Sequence, residues 1–216
     1  MFGISTIDRS VGIIGSQRGP IDMALVTAFD TETTGLLPKQ FSMSPANLPK
    51  LPHIVQLASI LFDTVSGEEQ GSFNVIVKPE GYVVPPESSA IHGITHEQAM
   101  DEGVPLSTAV EMFSSFKKQS KGMIAHNIEY DMRIMAIAFA RLGLDGSEVL
   151  RFPKKCTMKA STEICKIPGN WGYKWPKLGE AYKIFFDEEL EGAHDALVDI
   201  RATVRIYRHL RGLGVI

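Results

Sequence analysis

Asp30 and Glu32 stand two residues apart, directly after the apolar run Met23–Phe29. That run reads as a buried strand whose end carries polar chemistry. Side chains two apart on a strand point to one side. The two carboxylates are therefore placed to share one hard cation, unless they are simply solvated acids at a strand end. The Thr33-Thr34-Gly35-Leu36 that follows supplies a glycine for a sharp turn, which lets backbone approach a ligand. A further acid, Asp131, falls in the first turns of a helix that opens near Asn127, just after His126. The helix dipole favours a carboxylate there, and a cap plus a structural acid is the plain alternative. The last pair is His194 and Asp199. On one helix they would point about 140° apart, so they meet only if His194 precedes the helix and Asp195 is its N-cap. A surface histidine beside an exposed acid is the alternative. Together the three segments offer four carboxylates and one histidine. Such a set suits two metals that clamp the attacking and leaving oxygens of a phosphodiester. A neutral imidazole could then take a proton from water.

These residues need elements to position them. Ile54–Phe62 and Ser72–Lys78 are apolar runs of strand length, and Asp63-Thr64-Val65-Ser66-Gly67 between them is a turn signal, so the pair reads as an antiparallel hairpin. Pro85-Pro86-Glu87 suits a helix start, with a short helix over Ser88–Ile91. Thr95 and Gln98 have capping-box spacing. Leu106, Val110, Phe113 and Phe116 fall near one face of a helix over Pro105–Lys118. Met123–Ala125 reads as a short strand, followed by a helix from Asn127 to Leu142 with Met132 and Met135 in its core. Helices are expected over Thr157–Ile164, over Lys177–Phe185, and from Asp195 through Arg211. Leu37–Pro52 holds four prolines and is a loop that borders the entrance, gates it or docks a partner. Strands followed by helices, one strand and more helices imply a mixed α/β sheet covered by helices.

The 216 residues suit one domain, and 44% apolar with 22% charged residues is ordinary globular usage. Nothing has the length and apolarity of a membrane span. No secretory signal is visible, and Cys156 and Cys165 read as reduced thiols, so a cytoplasmic protein is expected. The net charge of −3 argues weakly against a nucleic-acid binder. Two divalent cations would move it to about +1, so charge does not settle the partner.

Three segments resemble the exonuclease motifs of the DEDDh, or DnaQ-like, family of 3′–5′ exonucleases, which includes the polymerase III epsilon proofreading subunit. They are Phe29-Asp30-Thr31-Glu32-Thr33-Thr34-Gly35-Leu36, His126-Asn127-Ile128-Glu129-Tyr130-Asp131 and Ala193-His194-Asp195-Ala196-Leu197-Val198-Asp199. Val55-Gln56-Leu57-Ala58, Ile91-His92-Gly93-Ile94-Thr95 and Lys177-Leu178 also look like segments of that group. The resemblance covers about 23–211, leaving 1–22 as an extension and 212–216 as a short tail. It implies an RNase H-like fold, a five-stranded mixed sheet flanked by helices, with the fifth strand near Arg151–Cys156. It implies two divalent cations, Mg²⁺ or Mn²⁺. One would be held by Asp30, Glu32 and Asp199, the other by Asp30 and the scissile phosphate with support from Asp131. His194 would be the general base.

The expected activity is removal of nucleoside 5′-monophosphates from a 3′ end, with single-stranded DNA as first choice. Trimming of RNA or short oligoribonucleotides is the enzymatic alternative. A nucleic-acid-binding or assembly subunit with little catalysis is the alternative of another class. A polymerase or replication partner is a further expectation, although the absence of a long C-terminal tail counts against the usual form of that role; a homodimer is also open.

Substrate-facing candidates are Thr33, Gly35 and Leu36, with His92, Asn127 and Tyr130. His92 is otherwise a structural histidine in a turn. Asn127 otherwise caps its helix, and Tyr130 either stacks on a base or packs the helix. Trp171, Tyr173 and Trp175 lie among Lys166, Lys174 and Lys177, a pattern that suits single-strand binding unless the rings pack on the domain. Lys154, Lys155 and Lys159 either meet phosphates or form a solvated face. Arg201, Arg205 and Arg208 read as a solvated helix face, and Asp187–Glu191 as a surface turn.

Overall fold

A computed structural model describes residues 25–193 and 195–216; the expected extension over 1–22 and the side chain of His194 lie outside the described residues. The sheet is five-stranded, in the order β3-β2-β1-β4-β5. Its strands are β1 (Leu25–Thr33), β2 (Ile54–Asp63), β3 (Glu69–Ile76), β4 (Gly122–Ala125) and β5 (Lys154–Cys156). β1 pairs antiparallel with β2 and parallel with β4, so the sheet is mixed. β2 is buried along its whole length, as its near-continuous apolar sequence requires. The fifth strand falls where it was expected, as only Lys154–Cys156, parallel to β4.

Among the described residues the α-helices, in chain order, are α1 (Pro86–His92), α2 (His96–Glu102), α3 (Leu106–Gln119), α4 (Ile128–Arg141), α5 (Ser147–Arg151), α6 (Thr157–Cys165), α7 (Leu178–Phe186) and α8 (Ala196–Gly212). Strand alternation sorts the core into two layers. Phe29 points with the odd-numbered residues of β1 toward α3 and α4, where it meets Phe113 edge-on at 5.1 Å and packs with Met132 and Met135. Val26 and Ala28 point the other way, onto Ile200 and Tyr207 of α8. α7 covers the outer side of α8 through Ala181, Ile206 and Leu210. Among the described residues no helix is long and apolar enough to cross a membrane.

Four expectations need correction. The first strand does not end at Phe29 but runs through Thr33, because β2 offers partners as far as Ile54. Asp30 and Glu32 are therefore strand residues. The third strand is Glu69–Ile76 rather than Ser72–Lys78, because the Asp63 carboxylate accepts from the Val65 and Ser66 N–H groups and closes the turn early. Asn127 occupies the N-cap position of α4 but makes no side-chain cap; its backbone is left-handed, at φ 82°. The expected solvated face of α8 is partly ion-paired, since Arg205 grips Glu188 of the acidic turn in a two-pronged contact. α5 was not anticipated, nor was the two-stranded hairpin β6 (Pro168–Gly169) and β7 (Gly172–Tyr173). The caps at Thr95 and Asp195 are present as expected, accepting from Gln98 N–H and from Leu197 and Val198 N–H.

Candidate active site

The pairing of β1 with β4 ends at Ala28 and Ile124. Beyond it, the edge of β1 is open to whatever packs there. The Asp131 carboxylate fills that place. It accepts from the Thr31 N–H at 3.2 Å and from the Thr31 hydroxyl at 2.7 Å. Thr31 thus points to the α4 side of the sheet and fixes an acid from α4. Its neighbours Asp30 and Glu32 point to the α8 side. There Asp30, Glu32 and Asp199 each bring a carboxylate oxygen to within 4.8 Å of the others. A register shift between Glu32 and Thr33 bends the ladder just past these acids.

Three elements therefore deliver four acids to the end of one strand. Asp30, Glu32 and Asp199 converge closely. Asp131 stands outside that close group but within electrostatic reach. Burial raises the Asp30 carboxyl well above its ordinary value, and the charges of Asp131, Glu32 and Asp199 add to the effect. Burial, then Asp199 and Asp131, pushes Glu32 up to about 7. Burial also raises Asp131 to about 7, although both Thr31 hydrogen bonds favour its ionised form. Like charges this close disfavour one another, and a bound cation reverses that penalty. The donors are all carboxylate oxygens, the chemistry of a hard divalent ion. The set fits such an ion.

Beside the acids lies a cleft of about 280 Å³, and Glu32 lines both. Every candidate substrate-facing residue lines it: Thr33, Gly35, Leu36, His92, Asn127 and Tyr130. Leu36 is 87% exposed there, and Gly35 turns the chain at φ 153°. The His92 ring accepts the Ile94 N–H on Nδ1, so the neutral ring carries its proton on Nε2. Burial lowers its pKa below the ordinary histidine value. Nε2 is buried and has no hydrogen-bond partner among the described residues.

Tyr130 does more than pack its helix. Its hydroxyl donates to the Gly35 carbonyl at 2.9 Å and bonds the Thr33 hydroxyl at 2.7 Å, tying α4 to the turn after β1. His126 is a structural residue, bonded to the Thr157 hydroxyl and the Pro176 carbonyl. Lys159 is paired with Glu129 at 2.9 Å.

Two contributors escaped the sequence reading. Thr31 was passed over between two acids, yet strand alternation itself sends it to the opposite face, where α4 packs. Arg141 donates to the Leu48, Leu51 and Pro52 carbonyls and so pins the end of the proline-rich loop. That anchor argues against gating by 48–52. No local sequence signal marks it, because its partners are backbone atoms nearly a hundred residues away.

Comparison with known proteins gives consistent results. A family model described as exonuclease, RNase_T, matches residues 27–207. An uncharacterised exonuclease, CP81, of Escherichia phage 186 is 33% identical over 62% of this chain and 69% of its own length. A DNA polymerase III subunit epsilon-like protein of Rhodobacter capsulatus is 33% identical over 54% of this chain, but over only 15% of its own length. Among solved structures, E. coli exonuclease I in complex with a dT13 oligonucleotide matches with a TM-score of 0.70 and 18% identity. That match covers 87% of this chain and 41% of the exonuclease I chain. The likeness gives the fold as RNase H-like. With the family match spanning nearly all of the sheet and α8, the chain belongs to the exonuclease family.

Proposed function

We propose that the chain is a metal-dependent 3′–5′ exonuclease that removes nucleoside 5′-monophosphates from single-stranded DNA. The carrying observation is the convergence of Asp30, Glu32 and Asp199 within 4.8 Å, beside a cleft that Glu32 also lines. Asp30, Glu32 and Asp199 would hold one divalent cation, and Asp30 with Asp131 would support a second. Bound there, Mg²⁺ or Mn²⁺ supplies Lewis acidity toward a phosphodiester and a more acidic water.

The protein's own groups do the rest. Asp131 is oriented by Thr31 and held on the cluster's far side. His92 lines the cleft, and its Nε2–H, without an acceptor among the described residues, would donate to a sugar or phosphate oxygen once substrate is seated there. The Asn127 side chain is spared from capping and serves the same cleft. Leu36 offers an apolar face to the terminal base or sugar. His194, directly before the Asp195 cap, takes the proton from the attacking water. A domain over about 23–211 goes with this reading. The oligonucleotide bound to E. coli exonuclease I supports the choice of single-stranded DNA, and the epsilon-like relative supports a replication setting.

The test is cleavage of matched 5′-labelled DNA and RNA strands in Mg²⁺ and in EDTA. A descending ladder on DNA, in Mg²⁺ only and lost in Asp30→Asn, is the expected result. Immediate release of the 5′ label as a mononucleotide, or a ladder that persists in EDTA, overturns the reading. Faster cleavage of RNA replaces DNA with RNA as the substrate.

A further inference from the structure

Trp171, Tyr173 and Trp175 would be explained as core residues if the domain covered them. It does not: Trp171 is 100% exposed, Trp175 60% and Tyr173 45%. β6 and β7 pair Gly169 with Gly172, which leaves Asn170 and Trp171 as the tip of a two-residue turn. Gly172, at φ 100°, turns the chain back. An indole at such a tip has its apolar surface in water, where folding gains nothing from it.

The base of this arm, in contrast, is fixed. Lys174 N–H donates to the Ile167 carbonyl at 2.9 Å. The His126 Nε2–H donates to the Pro176 carbonyl at 2.9 Å. His126 is followed by Asn127, which lines the cleft. The arm is therefore rooted at the rim of the candidate active site. Lysines alternate with its rings: Lys166 and Lys177 flank it, Lys174 lies between Tyr173 and Trp175 and pairs with Glu180 at 2.6 Å, and the ammonium of Lys159, itself paired with Glu129, sits 5.7 Å over the Trp175 ring.

We propose that this aromatic arm is a docking surface for single-stranded DNA, which seats nucleotides upstream of the 3′ end by stacking their bases on Trp171 and Trp175. The inference rests on the nuclease reading above and extends it beyond the terminal nucleotide. Rings interleaved with cations match the two faces of a single strand, its π surfaces and its phosphates. A duplex hides its base faces and has no use for such an arm. An apolar protein partner would complement the rings but not the lysines.

The chain has two tryptophans and both are on the arm, so intrinsic tryptophan fluorescence reads the arm alone. The full chain is titrated in Ca²⁺ buffer with dT strands of about 4 and about 20 nucleotides. The longer strand should quench the emission saturably, and Trp171→Ala should weaken its binding about 5- to 150-fold. Trp171→Phe should restore much of that loss, and the shorter strand, too short to reach the arm, should leave the emission of both proteins unchanged. Circular dichroism checks that the variants stay folded. Silent tryptophans on a protein that degrades the longer strand in Mg²⁺ overturn the arm and leave the nuclease reading standing. Quenching on a protein that cleaves nothing does the reverse. Equal binding by Trp171→Ala, or a response to an rU strand but not to dT, also overturns the proposal.

Discussion

Glu32→Gln tests the electrostatic account of the site most directly, because it removes one charge and keeps the shape. In the metal-free protein the Glu32 carboxyl is raised from 4.5 to about 7. Its unfolded-state value stays near 4.5, so between pH 4.5 and 7 the folded chain binds more protons than the unfolded one. Stability must therefore fall as pH rises through that window and level off above it. The 2.5-unit difference is worth about 3 kcal/mol at pH 8. The glutamine amide retains part of the burial cost, which leaves a net gain of roughly 1–2 kcal/mol for the variant. For a chain of this size that is a rise in Tm of roughly 3–8 °C in EDTA at pH 8. At pH 5 the two proteins should melt close together. Adding Mg²⁺ or Mn²⁺ at pH 8 should then raise the wild type more than the variant, since cation binding stabilises only the folded state. The assay is differential scanning calorimetry across pH 5–8, with and without metal. Equal melting at pH 8 in EDTA, or equal metal gains, would refute the claim that these carboxylates repel one another until a cation joins them.

Two further substitutions probe the positioning groups. Thr31→Val keeps volume but removes the hydroxyl donor to buried Asp131, at a cost of about 1–3 kcal/mol. It should lower kcat at least tenfold in a Mg²⁺ cleavage assay while the chain remains folded; wild-type kcat would show that Asp131 needs no such tether. Tyr130→Phe removes one of the two hydroxyls that donate to the Gly35 carbonyl, leaving Thr33 as the other, and costs about 0.5–1.5 kcal/mol. Because that turn carries Leu36 and not the acids, KM should rise while kcat holds, and a fall in kcat alone would contradict the assignment.

The parts of the site that sequence revealed are those set by local periodicity. Asp30 and Glu32 fall on one face because any strand alternates. Thr95 and Asp195 cap because their side chains reach N–H groups two or three residues on. The six cleft residues were legible through the resemblance of their segments to family motifs, and they share one concavity. What failed was long-range or depended on where pairing stops. The end of β1 was misjudged because the acids break its apolar pattern, while the β2 ladder carries on regardless. Asn127 looked like a cap by residue type. At the left-handed φ it adopts, its side chain makes no bond to the N–H groups of α4. The arm's two-residue strands are too short for any periodicity to register.

The arrangement also ties the site to the core. α4 and α8 pack on opposite faces of the sheet, through Met132 and Met135 on one side and Ile200 on the other. Each helix brings one acid to the end of β1, the strand that both layers share. Neither acid has a local route to Asp30 and Glu32: Asp131 is a hundred residues away along the chain, and Asp199 is further still. The cluster therefore exists only when both layers are docked. Loosening either, for example by truncating Phe29 against Phe113, moves a carboxylate as well as opening a cavity. The repulsion among the acids opposes that docking, and burial of the two apolar layers must exceed it. This accounts for the contrast within one strand, where Val26 to Phe29 is sealed on both faces and the next residues carry charge. The sealed stretch of β1 sits directly beneath its least favourable electrostatics, and that packing holds the acids close enough to share a cation.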